Sequence, residues 1–285
     1  MIAWKNLRKS PVFSKIHNEW SALLDDNTRK EQDYQIFLRE HAGFFFSRKN
    51  DISGDQLVLE KISLGSDYIT DFVNINGNRS YGFEYTFIEI ESPHDEIYTR
   101  SGKQTSDLSG ALEQVRDWKR WIAANTDTAK RLFPSKRFLI TGVPSIRYMV
   151  VIGRRNSSQD EIEKRNQIFR DEGIEIRSFD YLTDILRARD FHSHIWISND
   201  FSFISEADNN DFANPFYTAI SDATWRAMLK KFLQNYSHMV GQNMAVIIES
   251  RKYNKQRENE FLEWVAMDSD RNSIDAWEKE LLKYT

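Results

Sequence analysis

From Tyr81 to Phe87 every second residue is aromatic, and the next two members of the series, Glu89 and Glu91, are acidic. Successive side chains of a β-strand point to opposite faces, so Tyr81, Phe83, Tyr85, Phe87, Glu89 and Glu91 share one face. An aromatic face has to be covered, and the cover draws the two carboxylates toward a medium that penalises charge unless a cation or hydrogen-bond donors compensate. A divalent cation is one compensator; a strand end open to water is the other reading. Upstream, Ile69 to Ile75 reads as a second strand, and Asn76-Gly77-Asn78 is a hairpin turn signal. Pairing the two strands would bring Asp71 beside Glu89. Magnesium keeps several of its waters and needs one or two carboxylates plus a substrate phosphate, so Asp71 and Glu89 would suffice.

The rest of the chain divides into three regions. Residues 1–60 read as mainly helical, with Ile16, Trp20, Leu23 and Leu24 at helical spacing and a second helix ending near His41-Ala42-Gly43. Residues 61–190 alternate strands and helices, the pattern of an α/β layer on a mixed sheet. After the hairpin comes a helix from Asp107 to Ala124, whose stripe Ala111, Val115, Trp118 and Ile122 suits a helix lying on a sheet. Gln114 neighbours that stripe and is either solvated or turned to the site. Strands are expected near 136–141, 147–153 and 174–179, with helices near 159–172 and from Tyr181 to Arg189. Residues 191–285 read as a mainly helical accessory region. An acidic stretch, Glu206 to Asp211, precedes a helix from Ser221 to Met239 with Trp225, Met228, Leu229, Phe232, Leu233 and Tyr236 along one side. A charged helix from Glu258 to Tyr284 carries Phe261, Leu262, Trp264 and Val265. Such aromatic stripes are expected in a core or a subunit interface. His192 and His194 lack acidic company and read as structural or surface residues.

Composition narrows the chemistry. The absence of cysteine excludes disulfides, thiolate metal sites and cysteine nucleophiles, leaving oxygen and nitrogen for any metal. With no run of eighteen apolar residues and no signal-peptide pattern, no membrane is expected as a partner and the reading is cytoplasmic. A net charge of −4 argues against a broad basic footprint for nucleic acid. A local patch is conceivable, since Lys130-Arg131, Lys136-Arg137, Arg147 and Arg154-Arg155 are close in the chain.

Taken in order, several blocks resemble the Shedu family of anti-phage nucleases, a branch of the PD-(D/E)xK superfamily. They are the helical run Lys30 to Glu40; Thr70-Asp71-Phe72-Val73; Glu89-Ile90-Glu91-Ser92-Pro93; Gln114-Val115-Arg116-Asp117-Trp118; Val150-Val151-Ile152-Gly153-Arg154; and Ile174 to Leu182. The resemblance covers about residues 28–190. It implies a restriction-endonuclease-like mixed β-sheet core flanked by helices, with helical N- and C-terminal extensions. It also implies a metal-dependent DNA endonuclease that uses Mg2+ or Mn2+, works on DNA as a homo-oligomer and needs no small-molecule cofactor. By the same resemblance Asp71 and Glu89 would bind the cation, the Ile90 carbonyl would complete its shell, and Gln114 would support the site. Arg154 and Arg155 could face phosphates from a strand end, where solvation is the alternative.

Two positions depart from the family pattern. Thr70 stands where a proline is usual, and Glu91 stands where a lysine is usual. Glu91 could serve as general base or as ligand to a second cation. Alternatively a lysine arrives from elsewhere, with Lys103 and Lys119 as candidates, or the site is inactive. The competing functional reading is a nuclease-fold module that binds nucleic acid or a phage component without cleaving. A structural assembly protein with surface carboxylates is the third.

Overall fold

The structure, a computed structural model, describes residues 4–46, 57–77, 83–135, 144–155, 158–188, 195–196, 203–204, 214–234 and 244–267. After a 3-10 turn at Trp4–Lys9 come helices α1 (Pro11–Asp25), α2 (Glu31–Glu40) and α3 (Ala42–Phe45). Strands β1 (Leu57–Glu60), β2 (Ser63–Leu64), β3 (Tyr68–Ile69), β4 (Phe72–Gly77) and β5 (Phe83–Ile90) follow, then α4 (Ser106–Ala124), α5 (Thr126–Leu132), β6 (Ser145–Val151), α6 (Gln159–Glu172), β7 (Ile174–Arg177) and α7 (Phe179–Ala188). The remainder comprises β8 (Ile195–Trp196), β9 (Phe203–Ile204), β10 (Ile220–Ser221), α8 (Asp222–Gln234), α9 (Met244–Ser250) and α10 (Lys255–Met267).

The main sheet has six strands in the order β10-β1-β4-β5-β6-β7. Its β10–β1, β5–β6 and β6–β7 pairs are parallel, whereas β4 runs antiparallel to both neighbours. The architecture is therefore mixed α/β, a six-stranded sheet with helices on both faces, as the alternating pattern predicts.

Two apolar cores cover the sheet. On one face Phe83, Tyr85 and Phe87 of β5 pack with Leu108, Ala111, Leu112, Val115 and Trp118 of α4. On the other, Ile88 and Ile90 join Trp20 of α1, Tyr34 and Leu38 of α2, Phe44 and Phe45 of α3, and Phe179 of α7. Every residue of β5 is consequently buried. The helices begin where the local chemistry favours it: Ser10 accepts the Phe13 N–H ahead of Pro11, and Thr105 accepts the Leu108 N–H at the start of α4. Helix α6 stops at Gly173, whose φ of 68° is the left-handed cap a side chain resists.

Several expectations need correction. Residues 57–60 lie in the expected helical region but form β1, between β10 and β4; Leu57, Val58 and Leu59 are buried on both faces, and four residues are too few to show a period. The strand expected over 69–75 breaks at Thr70-Asp71. Tyr68–Ile69 pairs with Ser63–Leu64 in a separate hairpin, and only Phe72–Gly77 enters the main sheet. Helix α5 was not foreseen. The strand near 136–141, the pair His192 and His194, the acidic stretch 206–211 and everything past 267 lie outside the described residues.

The stripe of α8 belongs to the core rather than to an exposed face. Trp225, Met228, Leu229 and Phe232 pack in the same cluster as β5 and α4, and the Trp225 indole N–H donates to the Leu132 carbonyl at 3.0 Å. Since β10 also adds a strand beside β1, residues 214–234 complete the sheet and its cover. Trp225→Ala should cost about 3–5 kcal/mol, the usual range for emptying a buried tryptophan site. Denaturant unfolding checks this, and a loss under 1 kcal/mol would mean that α8 is dispensable to the core.

Candidate active site

The antiparallel register of β4 and β5 sets Phe72 opposite Ile88 and Val73 opposite Phe87. Continued by one residue, it places Asp71 opposite Glu89, on the face that carries Val73 and Phe87 and lies under α4. The site therefore sits at the C-terminal edge of β5, where the parallel strands β5, β6 and β7 also end. In open α/β sheets that edge is where ligands bind.

Asp71 is 5 % exposed and Glu89 6 %. Asp71 is held at three points. Its Oδ2 accepts the Ile90 N–H at 2.8 Å, its Oδ1 accepts the Lys61 ammonium at 2.5 Å, and its main-chain carbonyl accepts the Lys61 N–H at 2.9 Å. Glu89 is less well served: its Oε2 is buried with no hydrogen-bond partner. Burial first, then the charges of Asp71, Glu91 and Glu31, push its carboxyl up to about 10, against a smaller opposing pull from Lys61. Glu91 is half-buried one residue past the strand, with its N–H on the Val151 carbonyl at 2.9 Å. Burial followed by the charges of Glu31, Asp95 and Asp71 raises it to about 7.

The site thus gathers more carboxylates than positive groups: Lys61 answers Asp71, while Glu89 has a buried oxygen without a partner and is held toward its protonated form, which a hard cation would reverse. Two carboxylates fit that role on the donor chemistry: Asp71, locked in orientation, and Glu89, with a buried oxygen to spare. Among the described residues no group of three or more His, Asp or Glu side chains stands close enough together to hold a metal ion.

Gln114 lies one turn before Trp118 on α4. Trp118 packs edge-on against Phe87, with ring centroids 6.1 Å apart. Gln114 is half-buried on the helix line of Ala111 and Trp118, the line of α4 that packs on the sheet. Further along the same line, Asp107 adds to the charge that raises Glu91.

Other expected residues are engaged elsewhere. The Lys119 ammonium donates to the Glu172 carbonyl and sits over the Tyr148 ring. Arg154 bridges Asp25 and Asp180, both at 3.2 Å, and Arg155 pairs with Asp184. Arg147 pairs with Glu84 at 2.6 Å, and Lys136 and Arg137 lie outside the described residues. Lys103 is exposed on the loop that returns to α4. That loop and the start of α6 border a cleft of about 630 Å³ lined by Pro93, Asp95, Tyr98, Arg100, Arg154 and Lys164, next to the site in the chain.

Two residues escaped the sequence reading. Glu31 opens α2; burial and the Asp71 charge raise its carboxyl, which shows that this helix end reaches the site. Nothing in the periodicity of α2 marks it. Lys61 follows β1 with φ of 51°, the only positive φ outside glycine among the described residues. A lysine there costs on the order of 1–2 kcal/mol, and no sequence motif announces it. At position 70 the observed threonine donates its N–H to the Ile62 carbonyl at 3.0 Å, a bond proline could not make.

A family model of the C-terminal part of the Shedu protein SduA matches residues 28–183. The chain belongs to the Shedu family. The match runs from just before α2, with Glu31, through Lys61, Asp71, Glu89, Glu91 and Gln114 to α7, so the whole acidic site lies inside the Shedu segment. Shedu membership points to a role in defence against phage. A search of curated proteins returned no match. No helix among the described residues is long and apolar enough to cross a membrane.

Proposed function

We propose that this Shedu chain is a divalent-metal-dependent DNA endonuclease, built on a restriction-endonuclease-like core of the PD-(D/E)xK type, that hydrolyses phosphodiester bonds in phage defence. The observation that carries the reading is the buried, partnerless Oε2 of Glu89 beside the fixed carboxylate of Asp71. Burying two adjacent carboxylates costs several kcal/mol unless something positive binds there. Mg2+ or Mn2+ would be held by Asp71 and Glu89 and, when bound, would polarise the phosphoryl oxygen and acidify a water.

The chain's own residues supply the rest. Asp71, pinned by Ile90 through Oδ2, would offer Oδ1 once the Lys61 ammonium leaves it. Glu91, half-buried and raised toward neutrality, takes the proton of the attacking water as its oxygen bonds to phosphorus and the bond to the leaving oxygen breaks, the leaving oxygen drawing its proton from solvent. Gln114 orients the water or the phosphate from α4. DNA would approach the strand edge along the cleft beside Pro93, where Arg100 is an exposed lining cation and Lys103 follows on the same loop; Arg154, which also lines the cleft, and neighbouring Arg155 would contribute by exchanging Asp25, Asp180 and Asp184 for phosphate. Assembly into a homo-oligomer rests on the resemblance to Shedu nucleases and is read by light scattering.

The test is cleavage of supercoiled and linear DNA with Mg2+ or Mn2+. The natural protein should cut both only with metal, and Glu89→Ala should cut neither. Glu91→Gln should slow cleavage by roughly 10²–10⁴-fold, the contribution of a positioned general base. One observation favours a second reading, a binding module that does not cleave: Asp71 Oδ1 is already occupied by an ammonium. A natural protein that binds DNA without metal-dependent turnover, while Glu91→Lys gains cleavage, would establish that alternative.

A further inference from the structure

Lys61 has a geometry that packing alone does not require. Its side chain is 52 % exposed, so solvent would satisfy the ammonium at no cost, yet the ammonium turns inward onto Asp71 at 2.5 Å. The backbone at Lys61 is in the left-handed region, and the same residue donates its N–H to the Asp71 carbonyl at 2.9 Å. Strain of this kind is found where function over-determines a conformation. Lys61 acts on Glu89 and Glu31 as well as Asp71, in each case against the accumulated negative charge. Apart from Ile90 N–H on Oδ2, it is the group that holds the Asp71 carboxylate, and it takes Oδ1, the oxygen that no main-chain donor occupies.

We propose that Lys61 has two successive positions: counter-ion of Asp71 in the metal-free protein, and ammonium donor to the substrate phosphate once Asp71 turns to a cation. This rests on the nuclease reading above and deepens it by naming the group that meets the negative charge of the phosphate. The main-chain bond to Asp71 tethers Lys61, so an ammonium released from Oδ1 stays within a side chain's length of the carboxylate pair. A half-exposed, flexible four-carbon stem can make that move; an arginine fork locked in a bidentate pair could not. In the reaction, charge builds on the phosphoryl oxygens, and a positioned ammonium stabilises it more than it stabilises the ground state.

Two measurements on Lys61→Met, with Lys61→Gln as a second variant in case one folds poorly, separate this role from a structural one. The first is Mn2+ binding to the DNA-free protein by titration calorimetry. Removing a competing positive charge should tighten binding, on the order of tenfold. A lysine that merely braced Asp71 would leave binding unchanged or weaken it, and either result overturns the counter-ion position. The second is DNA cleavage at saturating Mn2+, where loss of one charge-stabilising donor should lower the rate by roughly 10²–10³-fold. A variant that binds Mn2+ more tightly and cuts at the natural rate would overturn the donor role alone. A natural protein that fails to cut with any metal would overturn the nuclease reading and the donor role together.

Discussion

Asp71→Asn should abolish metal-dependent cleavage while leaving the fold intact. The amide oxygen can still accept the Ile90 N–H, which Oδ2 now takes at 2.8 Å, so the β4–β5 edge keeps its geometry. What disappears is the negative charge that would hold the cation and that Lys61 now balances. Cleavage should fall by at least about 10²–10³-fold, the scale on which one electrostatic contact in a reaction centre is felt. Asp71→Ala should show the same loss of cleavage with a lower melting temperature. It leaves the Ile90 N–H buried without a partner, at about 1–3 kcal/mol. Gel cleavage assays and thermal melts on the two variants separate charge from architecture. An Asp71→Asn protein that cuts DNA like the natural one would remove Asp71 from the site.

Glu89→Gln should stabilise the metal-free protein and flatten its dependence on pH. The Glu89 carboxyl is raised from its usual 4.5 to about 10, chiefly by burial and then by Asp71. Between those values the native state binds a proton that the unfolded state has released, so stability falls as pH rises. The stabilising effect of the proton is fully present below about 4.5 and is lost as pH climbs through the folded value, at up to about 1.4 kcal/mol per unit. A few kcal/mol should therefore separate the natural protein at pH 5 from the same protein at pH 8 in chelator, and glutamine, which carries no charge, should cancel most of that difference. Added Mg2+ should restore the natural protein at pH 8 and do nothing for Glu89→Gln. Thermal melts at pH 5, 7 and 9 decide the matter; parallel pH curves for the two proteins would show that Glu89 titrates normally.

These effects bear on what could be read from residue order. The alternation Phe83, Tyr85, Phe87, Glu89 and the spacing Ala111, Val115, Trp118 are local patterns, and each element they define is present: β5 is buried throughout and α4 begins one residue before its expected start. The same alternation placed Asp71 and Glu89 on one face, and the β4–β5 register does so. Where long-range pairing decides, the pattern is silent. The three apolar residues of β1 carry no period, and only β10 on one side and β4 on the other make them a central strand. Likewise the stripe of α8 showed an apolar face without saying what covers it.

The sequence by itself determined the strand and helix that build the acidic edge, because side-chain period is a property of consecutive residues. It also determined the Shedu relationship, because that lies in the order of short blocks along the chain. Only the tertiary structure decided that Lys61 turns onto Asp71, that Glu31 closes in from α2, that Lys119 and Arg155 are engaged away from the site, and that residues 214–234 return to finish the sheet. The physical reason is the same in each case. A charge finds its partner by distance in space, and a left-handed turn at residue 61 or a helix end at residue 31 brings together groups that no spacing in the chain relates.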